Sequence, residues 1–233
     1  MARKKRRARI AVYFGNRKVY AAVAMAANSM AVNGKPDRIL LGVEDDEFPY
    51  PLPKQAELIN VSNQEWFPAD GPNYRCQWSY MTMMRVAAPL LLPDVDRALI
   101  LDVDTVVEGD LTGLWDMDLH GAYFAAAREP ARCREGFAYH NCGVLLMDFS
   151  AMRDGKAEEV IGTLNRRKFT WPDQDALNEL CQGRICPLPG MYNVCDYTEP
   201  SEECRIRHYA AVRQDIYMYK PAVTRYRVEE EEI

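Results

Sequence analysis

The sequence predicts an α/β layer fold built on a mixed sheet, and three observations predict it. Short β-like runs alternate with segments of helical periodicity along most of the chain. The clearest apolar run, Arg97–Leu101, stops at a pair of aspartates, as buried strands of such sheets do at their carboxyl ends. Some connections are too short for a helical crossover, so some neighbouring strands must run antiparallel.

Arg9 to Phe14 reads as the first strand. Val19 to Asn33 is alanine-rich with apolar residues at helical spacing, and Gly34 with Pro36 should end it. Arg38 to Val43 is a second strand, followed by a loop of acids and prolines (Glu44 to Pro53) and a short strand from Ala56 to Val61. Pro68, Gly71 and Pro72 make Trp66 to Tyr74 a loop. Gln77 to Leu92 has helical periodicity, with Pro89 at a bend or an end. After Arg97 to Leu101 come strands at Ala122 to Ala127 and Gly143 to Phe149, helices at Ala157 to Arg167 and Gln174 to Gln182, and late strands at Ile185 to Leu188 and Ile206 to Tyr209. Pro172 and Asp173 supply a helix start, with Asp173 expected as its cap.

Composition bounds the function. The 233 residues are 48% hydrophobic, enough for one domain with a sizeable core. No apolar run reaches the length of about 20 residues that spans a bilayer, and the basic N-terminus does not read as a signal peptide. The 29 basic and 34 acidic residues give a net charge of −5. Six of the basic residues fall within 1–9, and Glu229 to Glu232 crowd the other end. The body between carries 23 basic and 30 acidic residues, which excludes a broad nucleic-acid face. The chain therefore divides into a basic tail (1–9), a single domain (10–228) and an acidic tail (229–233). The basic tail is either a solubilising segment or a peripheral contact to an anionic membrane surface. Seven cysteines without a C-x-x-C pair read as reduced thiols in a cytoplasmic protein, possible peripheral contact being with the inner membrane face.

Four segments carry candidate chemistry. In RALILDVDTVVEGD, Asp102 and Asp104 would point the same way from a strand end, placing hard oxygen donors where Mg²⁺ or Mn²⁺ binds. Taken alone, the pair also fits a solvated turn. His208, in RIRHYAAV, could complete such a site with a neutral imidazole, or be a hydrogen-bonded core residue. In WPDQDALNEL, Asp173, Gln174 and Asp175 occupy the first turn of a helix, facing a sugar or phosphate or merely capping it. In YHNCGVLLMD, Asn141 and Gly143 precede an apolar strand, which an ordinary turn would also explain.

In this order the four segments resemble the family 8 glycosyltransferases, the group containing glycogenin and bacterial lipopolysaccharide galactosyl- and glucosyltransferases. The resemblance runs from about Ile10 to Tyr209 and is most specific over Ser79–Leu119; the D-Q-D-x-L-N element is matched in full by Asp173 to Asn178. It implies a GT-A fold, a Rossmann-like α/β/α sandwich with a mostly parallel, mixed central sheet. It also implies retaining, metal-dependent transfer of a hexose from a UDP-sugar, UDP-glucose or UDP-galactose, to a glycan, glycolipid or protein hydroxyl. By position, Asp102, Asp104 and His208 are the implied ligands of Mn²⁺ (or Mg²⁺), Asp102 also meeting the ribose. Arg85 is implied near the donor phosphates or sugar, Asn141 and Asp173 on donor-sugar hydroxyls, and Gln174 at the anomeric face. Asp175 is a nearby carboxylate. Tyr20 is implied to stack on uracil, with Asn16 standing where the family has an acid.

The chain departs from the family after the histidine. There the family glycine and lysine positions hold Ala211 and Gln214, and Arg213 is expected to replace the lysine charge. Glu129 falls near a family aspartate that faces sugar. These departures keep open a degenerate protein that binds a nucleotide sugar without turnover. A nucleotidyltransferase is a further alternative, disfavoured by the single glycine in GNRKVY.

Overall fold

The computed structural model describes residues 6–227. Among these, seven strands form the main sheet: β1 (Ile10–Phe14), β2 (Arg38–Val43), β3 (Ala56–Asn60), β4 (Arg97–Leu101), β6 (Phe124–Arg128), β7 (His140–Asp148) and β8 (Ile185–Pro187). Their order is β3-β2-β1-β4-β7-β6-β8. The β1–β2, β2–β3, β1–β4 and β6–β8 pairs are parallel, while β7 runs antiparallel to both β4 and β6. The sheet is thus mixed and mostly parallel. A separate antiparallel ribbon joins β5 (Thr105–Val107) to β9 (Ile206–His208).

Both faces of the sheet are covered, and the period of two along each strand decides what each face buries. In β4, Ala98 and Ile100 face a core shared with helices α2 (Met84–Leu91), α4 (Phe149–Met152), α5 (Lys156–Arg166) and α6 (Pro172–Leu180). Leu99 and Leu101 face the opposite core, with α1 (Tyr20–Ser29) and α3 (Thr112–Trp115). Two short helices near the C-terminus, α7 (Gln214–Tyr217) and α8 (Pro221–Thr224), lay Tyr217, Val223 and Tyr226 on Ala22 and Met25 of α1. Tyr217 and Tyr226 of that segment are used as core, while Tyr219 is exposed. Among the described residues, no helix is long and apolar enough to cross a membrane.

The structure redraws several boundaries. The first helix is shorter than its alanine-rich pattern. A 3-10 turn at Arg17–Val19, capped by Asn16, precedes it, and a π-helical turn at Met30–Gly34 follows it. The expected long helix from Gln77 shrinks to α2, because Ser79 adopts φ +63° and breaks the backbone path before a 3-10 turn at Tyr80–Thr82. Pro89 lies inside α2 without ending it. Strand β7 begins at His140, so Asn141 sits within a buried strand and not in a turn before it. Trp171, not Asp173, occupies the cap position of α6, and the Asp175 carboxylate accepts the Trp171 N–H there (2.9 Å).

The expected acidic tail (229–233) and residues 1–5 of the basic tail lie outside the described residues. Within residues 6–9 of that tail, Arg6 and the Arg9 N–H both bond the Asp37 carboxylate, at 2.7 and 2.8 Å.

Candidate active site

The strand order reverses direction between β1 and β4, and the crevice beyond their carboxyl ends is where such sheets bind ligands. A cavity of about 810 Å³ opens there. Its floor is built by the turn that leaves β4. The Asp102 N–H still bonds Gly143 of β7 (2.8 Å), and then the Thr105 N–H and hydroxyl both bond back to the Asp102 carbonyl (3.2 and 2.6 Å). That tight turn feeds β5, whose register sets Thr105 opposite His208 of β9. The pairing brings His208 beside both aspartates: Nε2 lies 3.5 Å from Asp102 Oδ2 and 3.4 Å from Asp104 Oδ1. Among the described residues, one ligand atom from each of Asp102, Asp104 and His208 falls within 4.8 Å of the others.

The electrostatics of this triad suit a cation. Asp104 Oδ1 is buried and has no hydrogen-bond partner among the described residues, which is costly for a carboxylate oxygen unless a positive centre faces it. Burial opposes charge on His208, yet Asp104, then the Cys195 thiol and Asp102, outweigh it and push the imidazole up to about 10. Asp104 is likewise opposed by burial but held below the usual carboxylate range by His208. Each group is thus tuned to a partner of opposite charge. One imidazole and two carboxylates fit Mn²⁺ or Mg²⁺.

Arg85, on α2, is 5% exposed and joins this floor to α6. Its Nε bonds the Thr82 carbonyl (3.0 Å) and faces Asp173 Oδ2 (2.9 Å), Nη2 bonds Asp102, and Nη1 bonds the Cys142 carbonyl. Burial disfavours the guanidinium, but Asp102 and Asp173 offset that and hold it charged. Burial in turn pushes the Asp173 carboxyl above its ordinary value, opposed by Arg85.

A third cluster lines the side wall. Asn141 donates to Glu129 Oε1 (2.8 Å) and accepts the Gly143 N–H (2.9 Å). Gln174 accepts the Cys142 N–H (2.9 Å), and its amide lies 3.3 Å from Glu129 Oε1 and 3.3 Å from the Tyr139 hydroxyl. Glu129, 5% exposed, is the shared acceptor, with Arg132 Nε at 3.5 Å from its other oxygen.

A sequence profile described as "Glycosyl transferase family 8" matches residues 50–213, most of the chain and every residue of the triad. The chain belongs to glycosyltransferase family 8. Among its relatives in the family is the lipopolysaccharide 1,2-glucosyltransferase of Escherichia coli (strain K12), 32% identical over 140 residues. Another is glycosyltransferase GlyE of Streptococcus pneumoniae, 31% identical over 133 residues. The matches cover 54% and 53% of this chain, but only 41% and 32% of those proteins, so the chain spans less than half of either relative. A solved structure of an active-site mutant of LgtC superposes with a TM-score of 0.71, covering 93% of both chains at 20% identity. That likeness shows the GT-A fold.

Within this family frame, the predicted residues divide. Asn16, Arg85, Asp102, Asp104, Asn141, Asp173, Gln174 and His208 all line the one cavity. Tyr20, Asp175 and Arg213 do not. The 3-10 turn ahead of α1 shifts the helical phase, so Lys18, Val19 and Ala22 face the cavity while the Tyr20 ring packs on Phe48 (4.8 Å between centroids). Its hydroxyl donates to Asp45 (2.9 Å) and accepts the Glu44 N–H (3.0 Å). Asp175 is spent on Tyr139 and on the start of α6. Arg213 is exposed and forks onto Asp215 two residues away, so the neutral Gln214 takes the wall position, beside Lys18. Ala211, in the family's glycine position, adopts φ +59°, the left-handed region that glycine favours.

Sequence reading missed Lys18, the rim aromatics Trp78, Trp171 and Tyr197, and Asn193. Trp171 was legible only as an aromatic beside a helix start; in the structure it is 38% exposed, and Arg132 stacks 3.3 Å over its ring. Asn193 carried no signal at all, being one polar residue in a loop.

Proposed function

We propose that the chain is a retaining hexosyltransferase that moves a sugar from UDP-glucose or UDP-galactose to an acceptor hydroxyl on a glycan, glycolipid or protein. The observation that carries this reading is the convergence of Asp102, Asp104 and His208 on the floor of the cavity, with Asp104 Oδ1 buried, without a hydrogen bond, and facing His208 Nε2 at 3.4 Å. The E. coli relative, named for glucosyl transfer to lipopolysaccharide, supports glucose and a glycolipid within that range. The seven cysteines, all free among the described residues, support a reducing, cytoplasmic setting.

A divalent cation, Mn²⁺ or Mg²⁺, supplies Lewis-acid neutralisation of the charge on a departing diphosphate when bound. Asp102, Asp104 and His208 would hold it. Arg85 fixes the Asp102 and Asp173 carboxylates relative to each other, so that the cation floor and the sugar wall keep one geometry. Asp173 and Asn141 present polar atoms for donor-sugar hydroxyls. Gln174 is held at both ends of its amide, by the Cys142 N–H and by Glu129, which makes it a fixed dipole at the anomeric face. A neutral amide so held is a poor nucleophile, which favours delivery of the acceptor hydroxyl on the face the diphosphate leaves, the departing phosphate oxygen taking its proton. The test is a panel of UDP-hexoses with Mn²⁺, read by mass spectrometry for UDP release and transfer. Turnover by the wild type and its loss in Asp104→Asn are expected; equal turnover in the variant overturns the site.

The second reading, a nucleotide-sugar binder without turnover, is favoured by the placement of Arg213 away from the cavity and of neutral Gln214 on its wall. UDP binding measured by calorimetry, with no UDP-sugar hydrolysis across the panel, would select it. Release of pyrophosphate would instead indicate nucleotidyl transfer.

A further inference from the structure

Asn193 is fully buried, off the cavity lining, in the loop between a 3-10 turn (Gly190–Tyr192) and β9. That loop is stitched in place on both sides. The Asn193 N–H bonds Gly190, its carbonyl accepts the Thr198 hydroxyl (2.6 Å), and the next residue pairs with β9 through Val194 N–H to Ile206 and His208 N–H to Val194. The backbone therefore holds the Asn193 side chain at one spot, where it meets two others: His208 Nδ1 at 3.0 Å and Asn141 Oδ1 at 2.9 Å.

The polarity of these contacts follows from a single fixed donor. The Gly143 N–H can only donate, so the Asn141 atom facing it is the carbonyl oxygen. The other end of that amide, its nitrogen, then donates to Glu129 Oε1. Because Asn141 Oδ1 can only accept, the atom of Asn193 that faces it must be the amide nitrogen. The remaining atom of Asn193, its carbonyl oxygen, then faces His208 and can only accept, so His208 Nδ1 carries hydrogen. A flipped Asn193 would set oxygen against oxygen at Asn141.

We infer that Asn193 is a positioning residue that, through Asn141, ties the orientation of the His208 ring to the fixed Gly143 N–H: its carbonyl holds Nδ1–H, which turns Nε2 to the two aspartates. Partners of this kind on the far nitrogen of a ligating histidine set its orientation and basicity. The inference rests on reading the triad as a cation site, but the hydrogen on Nδ1 can be seen without any metal.

The test uses the full chain labelled with ¹⁵N-histidine, which has three histidines to assign. Wild type is expected to show a slowly exchanging His208 Nδ1–H, with or without Mg²⁺. In Asn193→Ala that proton should lose its protection and exchange rapidly, and the Kd for Mn²⁺, measured by electron paramagnetic resonance, should rise about 10- to 100-fold. Asn193→Asp keeps an oxygen for Nδ1–H but loses the donor to Asn141 Oδ1, so it should keep the protected proton and bind Mn²⁺ more tightly than Asn193→Ala but less tightly than the wild type. Wild type without a protected Nδ1–H overturns the inference. So does a folded Asn193→Ala with unchanged Mn²⁺ affinity. Should Asn193→Ala fail to fold, an Asn193→Asp lacking the proton overturns it in the same way. A wild type that shows the proton but binds no Mn²⁺ upholds the role of Asn193 in fixing His208 and removes instead the metal reading of the proposed function.

Discussion

The imidazole of His208 lies flat against Gly143: a β-carbon on Gly143 would stand 2.6 Å from Nδ1 and 2.7 Å from Nε2. Strand β7 thus leaves out a side chain at the point where β9 inserts a ring. Gly143→Ala should displace His208 from the aspartates and abolish the rise in Tm that Mn²⁺ gives the wild type. The overpacking should also cost about 1–3 kcal/mol of stability without metal. Thermal unfolding with and without Mn²⁺ separates the two effects. An alanine variant that Mn²⁺ still stabilises fully would show that His208 is not a ligand.

Arg85 forks onto two carboxylates and two carbonyls, a pattern that one ammonium group cannot reproduce. Arg85→Lys should lower stability by about 3 kcal/mol, close to the cost of breaking a buried ion pair. Urea unfolding at neutral pH measures it. A loss near zero would mean that the cluster contributes no net stability.

Arg213 and Tyr20 lie off the cavity lining and serve as a paired control. Arg213→Ala, at an exposed site, should change stability by no more than about 0.5 kcal/mol and leave UDP-sugar hydrolysis unchanged. Tyr20→Phe should cost about 1 kcal/mol for its lost hydrogen bonds while leaving UDP affinity near the wild-type value. A large loss of UDP binding in either would restore the nucleotide contact implied by family resemblance.

Ala211 occupies a left-handed backbone position. That conformation costs a residue with a β-carbon about 1–2 kcal/mol, and glycine returns roughly half of the gain as extra freedom in the unfolded chain. Ala211→Gly should therefore raise stability by up to about 1 kcal/mol, read as a higher Tm. A fall in Tm would mean that the methyl group packs usefully.

The elements legible in the sequence were those whose signal is local. β1, β2 and β4 show as apolar runs because both faces of each are buried, and Asp102 and Asp104 stand out where β4 stops. β5 was not legible: three residues form a strand only because β9, from the far end of the chain, pairs with them. The position of Tyr20 off the cavity lining was not legible because a pattern of alanines fixes that a helix exists but not its rotational phase, which Asn16 and the 3-10 turn set. Arg213 illustrates a similar limit, since one residue of offset in a turn exchanges cavity for solvent. Asn193 was beyond reach, because its meaning lies wholly in which amide atom faces which neighbour.

The three-residue ribbon of β5 and β9 also bears on the order of events during synthesis. Asp102 and Asp104 leave the ribosome long before His208, and nothing local joins the two ends of that ribbon. A nascent chain can complete most of the sheet while its cation site still lacks a ligand, because closing so long a loop carries an entropic cost that only the late strand can offset. Competence to engage a charged donor is therefore acquired only once β9 has emerged, when the strands that frame the cavity are already in place.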